Sequence, residues 1–237
     1  MNKNRLTIAL PALAILLFSF FMPAQKTDNT LTAAEKKAGW VLLFDGKTTD
    51  AWRTYQNLPD DSWEVVKGEL HCKKDGVTNR ADLVTKDQFE SFELVIDWKV
   101  DKACNSGLLY HVLETHKSSY ETGPEYQLID DAGYTDKLEN WQKSGADYGM
   151  HPPAKLAVKP TGQWNHTRLL VNGAHVEHWL NGVKVADFTA WTPEWEKLKA
   201  EGKWKDYPDY GKSKTGVIAL QDHGGGITFK NIKIRKV

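Results

Sequence analysis

The dominant pattern along the chain is alternation of apolar and polar positions with a period of two, which predicts β-strands rather than helices. Phe92–Val100 shows it best. Phe92, Leu94, Ile96, Trp98 and Val100 fall on one side and Glu93, Val95, Asp97 and Lys99 on the other, as expected of a half-buried antiparallel strand. Residues 63–72 predict a hairpin that turns at Lys67-Gly68. Asn172-Gly173 and Asn181-Gly182 predict two successive tight turns joining strands over 164–171, 174–180 and 183–188. Shorter apolar runs at 40–44 and 82–85, and a closing alternation over 227–237, add further strands. Helical signal is confined to 32–37 and to 192–200, where a Thr-Pro start is followed by Glu194 in the first turn. Many short strands with regular turns predict an all-β sandwich or jelly roll.

Three of the strands carry polar residues where a core strand would not. In 123–130, Glu125, Gln127 and Ile129 share one face, and Tyr126, Leu128 and Asp130 the other. In 105–114 the apolar run is interrupted by His111, and in 215–223 Ala219, Gln221 and His223 share a face. Taken singly, each of these residues also reads as a satisfied polar group at a strand end. If the three strands lie in one sheet, His111, Glu125, Gln127, Gln221 and His223 converge on the floor of a cleft, because buried polar groups need partners. The segment 133–160 is long and poor in strands, and loops of that length usually serve a site or lack order. Its Trp141, Tyr148 and His151 are candidates for the cleft rim, although with ten Trp in the chain most must fill the core. Residues 203–212 form a second aromatic, loop-like stretch, and Lys214 precedes the strand that carries Gln221.

The N-terminus bears on the compartment. Lys3 and Arg5 precede an apolar run from Leu6 to Met22, broken only by Thr7, Pro11 and Ser19, and the chain turns polar after Ala24. This is the layout of a signal peptide over 1–24, followed by a short linker over 25–38. An uncleaved anchor is the competing reading, since the run is near the length of a membrane span. No cysteine is available there for a lipid anchor, and no later segment is apolar enough to span. The expected location is the periplasm or the outside of a bacterial cell. With 31 basic and 31 acidic residues the chain has no excess positive charge, which argues against nucleic acid as a partner. Two cysteines, Cys72 and Cys104, allow one disulfide but lack the spacing of a zinc site.

Several short motifs then occur in a fixed order: Phe44-Asp45-Gly46-Lys47 with Trp52, Asn105-Ser106-Gly107, Gly123-Pro124-Glu125-Tyr126-Gln127-Leu128-Ile129-Asp130, Trp164-Asn165 with Arg168, Asn172-Gly173, Leu180-Asn181-Gly182, Leu220-Gln221-Asp222-His223-Gly224, and Phe229-Lys230-Asn231-Ile232. Over 39–237 the chain resembles the 3-keto-disaccharide hydrolase family, also described as 3-keto-glucoside 1,2-lyases and 3-keto-2-hydroxy-glucal hydratases. The resemblance implies a concanavalin A-like fold of two curved antiparallel sheets with a cleft for a small oligosaccharide or glycoside. It departs from the family pattern at His111, where many relatives carry Arg.

The implied chemistry is acid–base chemistry. A ketone at C3 of a glucosyl unit acidifies the C2 proton, a base removes it, the C1 substituent leaves, and water adds to the resulting glucal. Such a site needs a base, a donor for the enolate oxygen and an acid for the leaving group. Glu125 is the first choice for the base, because apolar strand neighbours raise a carboxyl's pKa toward neutrality. His223 is the second, as base or acid, and the glycines that follow it let backbone approach a ligand. Asp222, His111 and Gln127 are placed to orient hydroxyls or the enolate. A divalent metal on Glu125 and His223, with or without His111, is a further way to stabilise an enolate. Two other readings stay open. One is a lectin-like module without catalysis, which the same fold supports. The other is a two-carboxylate glycosidase, ranked lower because the Glu-x-Asp-x-x-Glu pattern is missing. The leader gives the first testable expectation: N-terminal sequencing of the protein from fractionated cells should begin close to residue 25. An intact N-terminus in the membrane fraction contradicts it.

Overall fold

The computed structural model describes residues 27–237, so the leader read over 1–24 lies outside the described residues. The elements run in the order α1 (Ala33–Lys37), β1 (Val41–Leu42), β2 (Trp52–Thr54), β3 (Trp63–Val66), β4 (Glu69–Cys72), β5 (Leu83–Thr85), β6 (Phe92–Val100), β7 (Asn105–Val112), β8 (Glu125–Ile129), β9 (Asn165–Asn172), β10 (His175–Leu180), β11 (Val183–Thr189), α2 (Pro193–Glu201), β12 (Val217–Leu220) and β13 (Ile227–Lys236). They form two antiparallel sheets. One has eight strands in the order β11-β10-β9-β6-β13-β4-β3, with β1 also paired to β13; the other has five, β2-β5-β12-β7-β8. The protein is thus an all-β sandwich.

The local signals explain the elements. The β3–β4 hairpin turns through Lys67 (φ 52°) and Gly68 (φ 82°), and β10–β11 turns through Asn181 (φ 51°) and Gly182 (φ 80°), the paired left-handed geometry that Asn and Gly adopt readily. Thr192 caps α2 by accepting from Trp195 N at 3.2 Å. The run at 40–44 gives only the two-residue β1, and β2 was not anticipated from its short, mixed sequence.

The core lies between the sheets. Phe92, Leu94, Ile96 and Trp98 of β6 face Leu108 and Tyr110 of β7, Tyr126 and Leu128 of β8, and Ile218 and Leu220 of β12, all buried in one cluster. A buried chain of hydrogen bonds crosses this core. Trp98 Nε1 donates to Thr167 Oγ1 (2.9 Å), Thr167 donates to Tyr126 OH (3.1 Å), and Tyr126 donates to the Trp179 carbonyl (3.2 Å). It ties β8 to β6, β9 and β10 of the opposite sheet. Leu109, Val112, Val217, Ala219, Val84 and Tyr55 form a second cluster on the outer side of the five-stranded sheet.

The loop expected to serve a site closes the free edge of β8. Gln127 N donates to the Ala146 carbonyl (3.1 Å), Gly145 N to the Gln127 carbonyl (2.9 Å), and Tyr148 N to the Glu125 carbonyl (2.9 Å). His178 Nδ1 donates to the Gly145 carbonyl (3.0 Å) and its ring lies 4.6 Å from that of Tyr126, so the loop and the strand share a support. An unpaired edge would otherwise expose a row of backbone groups. Cys72 and Cys104 are buried free thiols, not a disulfide; burial pushes the Cys104 thiol up to about 12, so it stays protonated at neutral pH.

Tyr126→Phe should lower the free energy of unfolding by about 1–3 kcal/mol, since it strips a donor from the buried Trp179 carbonyl and an acceptor from Thr167. Urea denaturation with an unchanged m-value is the expected result. An unchanged midpoint would show that the crossing chain contributes nothing.

Candidate functional site

Register brings the polar strand residues together. Across β7 and β8, Gly107 pairs with Gln127 and Leu109 with Glu125, while β12 places Ala219 opposite Leu109. Just beyond β12, Gln221 N donates to the Gly107 carbonyl at 2.9 Å. Asn105, Gly107, Glu125, Gln127 and Gln221 therefore share the sheet face that points away from the main core. All of these but Gly107 floor a chamber of about 220 Å³, which Tyr148, Lys203, Trp204 and His223 wall.

Glu125 is the central group. It is 4% exposed, and no side-chain hydrogen bond holds its carboxyl among the described residues. Its side chain lies over Gly107, where any Cβ would sit 2.2 Å from Glu125 Oε1, so glycine at that position makes room for the acid. Burial pushes the carboxyl up to about 8; the Lys203 ammonium opposes that rise, and Asp82 and Asp147 add to it. At neutral pH Glu125 is mostly protonated in the free protein, and its conjugate base is strong for a carboxylate.

The surrounding groups present unpaired acceptors and fixed donors. Among the described residues, Asn105 Oδ1 and Gln221 Oε1 are buried without a hydrogen-bond partner. Leaving a buried acceptor unpaired costs about 1–3 kcal/mol, so both call for a donor such as a hydroxyl from the chamber. Gln127 Oε1 accepts from Leu128 N at 3.1 Å, which fixes the side-chain amide at the chamber wall. The wall rises from the aromatic stretch after α2. Trp204 Nε1 donates to the Tyr148 carbonyl (2.8 Å), Trp204 stacks on Tyr210 at 4.0 Å, and Lys203 Nζ lies 4.6 Å from the Tyr148 ring centre.

A second space adjoins the first. A groove of about 190 Å³ shares Tyr120, Gln221 and His223 with the chamber and continues to Asp82, Arg80 and Leu58. Asp82 accepts from Asp222 N at 2.8 Å and from Ser119 Oγ, yet burial still raises its pKa to about 6.

Of the ten residues named from sequence, Glu125, Gln127, Gln221, His223 and Tyr148 line the chamber. The other five do not. His111 was expected beside Glu125 by alternation, but β7 bulges there. Val112 pairs with Val217 and Leu109 with Ala219, so 109–112 of β7 lie opposite only 217–219 of β12, one residue fewer, and His111 takes φ 54°. Its ring packs instead against Phe92 and Tyr110, with Nε2 bonded to the Glu90 carbonyl at 2.7 Å, and burial lowers its pKa. Asp222 lies along the adjoining groove with its carboxylate engaged by Arg80 (2.9 Å) and Gly224 N (2.9 Å); it shapes the turn that carries His223. His151 is bonded to buried Asp147 at 2.9 Å and stacks on Phe188. Trp141 lines a separate open groove of about 440 Å³ that meets the chamber region at Lys203. Lys214 lies over the Trp191 ring.

The placement of His111 also takes it out of the metal set, leaving Glu125 and His223. Among the described residues, three ligand atoms of His, Cys, Asp or Glu come within 4.8 Å of one another at His175, Glu177 and Asp187. That group lies on β10 and β11 and is tied up by Lys184 and Arg168. Sequence reasoning missed Asn105, Lys203 and Asp82. Asn105 was legible, two residues before Gly107 on the same strand face. Lys203 and Asp82 are placed by tertiary contacts alone.

The described residues contain no helix long and apolar enough to cross a membrane. In sequence, the chain is 30% identical over 226 residues to a 3-keto-disaccharide hydrolase of Bacteroides thetaiotaomicron, covering 83% of this chain and 78% of that protein. In structure, it is similar to a Parabacteroides distasonis protein provisionally named a glycosyl hydrolase, with TM-score 0.84 and 40% identity over 89% of this chain and all of the other. A second protein so named from the same organism gives TM-score 0.63 at 28% identity, over 84% of this chain and 99% of the other. Both sheets save the last residue of β13, the edge-closing loop and every wall of the chamber fall within residues 39–235, which match the 3-keto-alpha-glucoside-1,2-lyase-like domain, and the chain belongs to that family.

Proposed function

We propose that this protein is an enzyme that cleaves 3-keto-glucosides by deprotonation at C2, with net hydrolysis of the glycosidic bond after water adds. The observation that carries this reading is Glu125: a buried carboxyl, unheld by hydrogen bonds among the described residues, whose pKa of about 8 suits proton abstraction from carbon near neutral pH. A sugar-binding module gains nothing from burying an acid it must desolvate, since amides and aromatic rings suffice to hold hydroxyls.

The roles follow from the positions. Glu125 takes the proton from C2, and the electron pair of that C–H bond moves into the C2–C3 bond as the ketone becomes an enolate. Lys203, the ammonium whose charge acts on Glu125, stabilises the negative charge that develops. The enolate collapses with loss of the C1–O bond, and the departing oxygen takes a proton from His223. Water then adds across the double bond of the glucal. Asn105, Gln127 and Gln221 hold the ring hydroxyls. The apolar leader supports export, and with it a reaction outside the cytoplasm.

Glu125→Gln should retain sugar binding but lower turnover of a 3-keto-glucoside by at least about 10²-fold, as expected when an acid–base group is lost. Solvent deuterium should enter C2 with the native protein and not with the variant. An unchanged rate would move the base elsewhere.

The same residue should govern pH dependence. kcat/KM should climb as pH rises toward about 8, because only the ionised Glu125 accepts a proton. Stability should run the other way. The folded pKa lies above the unfolded one, so the protonated carboxyl favours folding at low pH, and that contribution is lost as pH rises from about 4.5 to about 8. Denaturation of native protein and Glu125→Gln across this range should therefore show the variant gaining relative stability as pH rises. A constant difference would mean that the carboxyl is not desolvated.

A further inference from the structure

We propose that the groove beyond His223, floored by Asp82 and Ser119 and edged by Leu58 and Lys117, is the subsite for the leaving group, and that it takes the second sugar ring of a disaccharide. This assignment rests on the lyase reading above and adds the side from which the departing sugar leaves.

Capacity makes a second subsite necessary. The chamber around Glu125 measures about 220 Å³, below the roughly 300 Å³ at which pockets for larger ligands begin, so it suits a single ring. Two spaces adjoin it. The Trp141 groove is larger, at about 440 Å³, but meets the chamber only at Lys203. The Asp82 groove is about 190 Å³ and shares three wall residues with the chamber, Tyr120, Gln221 and His223.

Chemistry chooses between them. The bond that breaks joins C1 to the leaving oxygen, and that oxygen must gain a proton as the C2 proton goes to Glu125. A donor is therefore needed at the threshold the glycosidic bond crosses. Histidine is the side chain that ordinarily exchanges protons in the neutral range, and His223 stands at the threshold of the Asp82 groove. On the other side the shared group is Lys203, whose charge acts on Glu125. A leaving sugar seated over Trp141 would put the departing oxygen beside the base and its counter-ion, away from the imidazole.

The groove is also pre-formed. Arg80 is fixed by Asp222 (2.9 Å) and by the carbonyls of Lys73 (2.9 Å) and Lys74 (2.7 Å). Asp82 is held by Asp222 N and Ser119 Oγ, so a bound ring meets a wall that need not reorganise. At the mouth, Leu58 is 43% exposed and offers an apolar patch for a C–H face of the sugar. Lys117, also exposed, offers a donor to its hydroxyls.

The test compares two substrates, a 3-keto-disaccharide and methyl 3-keto-glucoside, whose leaving group is too small to reach either groove. Lys117→Trp narrows the groove and Leu58→Ala removes its apolar lip. Both positions are exposed, and thermal melts confirm folding. We expect each variant to raise KM for the disaccharide by about tenfold, the scale of a lost pocket contact, while the constants for the methyl glycoside stay within about twofold. Trp141→Ala is the competing arm. A disaccharide-selective loss in Trp141→Ala, with the two groove variants unaffected, overturns the assignment; so does an equal loss on both substrates in the groove variants. If the native protein turns over neither substrate, the lyase reading itself fails and the subsite falls with it. Turnover of the methyl glycoside alone keeps the lyase reading and rejects the disaccharide as occupant.

Discussion

The structure depends on how one five-residue strand is held. Glu125–Ile129 sends Tyr126 and Leu128 into the main core and Glu125 and Gln127 to the other side of the sheet. Keeping a carboxyl at 4% exposure opposes folding, and the strand must be secured by groups other than the acid. Tyr126 does this from beneath, through Thr167 and Trp98 on the facing sheet. The 145–148 loop does it from the edge, pairing with β8 on the side no strand occupies. Gly107 completes the arrangement by giving Glu125 the space a side chain would fill. The acid can stay desolvated because its own backbone is over-determined, which is how strained or costly groups persist at sites.

Much of this was legible in the order of residues. Side chains in a strand alternate without regard to the rest of the molecule, so Glu125 and Gln127 had to share a face, and so did Gln221 and the positions two away from it. The hairpins at Lys67-Gly68 and Asn181-Gly182 were legible for a related reason, since left-handed turn residues restrict the backbone locally. That β7, β8 and β12 are neighbours was an assumption, which the sheet order bears out.

The errors arise where tertiary structure overrides a local rule. His111 obeys alternation until a bulge inserts one extra residue, and Gly216 is what permits it: a Cβ there would lie 2.5 Å from the His111 carbonyl carbon. A bulge of this kind leaves no signature in the strand that carries it. Asp222 has the composition of a ligand-binding group, but Arg80, distant in sequence, claims it. Lys203 and Asp82 went unseen for the same reason. Each owes its place to contacts across the fold; Lys203 does open the aromatic stretch 203–212, but nothing local says that this stretch reaches the chamber.

The charges in the cleft explain why so polar a site can remain folded and still react. Glu125, Asp82 and Asp147 are all pushed toward their neutral forms, chiefly by burial. With Lys203 opposing the shift at Glu125, the free site avoids crowding three full negative charges near one another. A substrate that becomes anionic in the transition state changes this balance. In the proposed reaction, negative charge moves from Glu125 to the sugar, which returns the carboxyl to the neutral state its surroundings favour and gives the ammonium a partner. If Glu125 is the base proposed above, proton transfer to it relieves the desolvation that the fold imposes on its carboxylate, so the same burial that opposes the ionised form would lower the barrier to taking a proton from carbon.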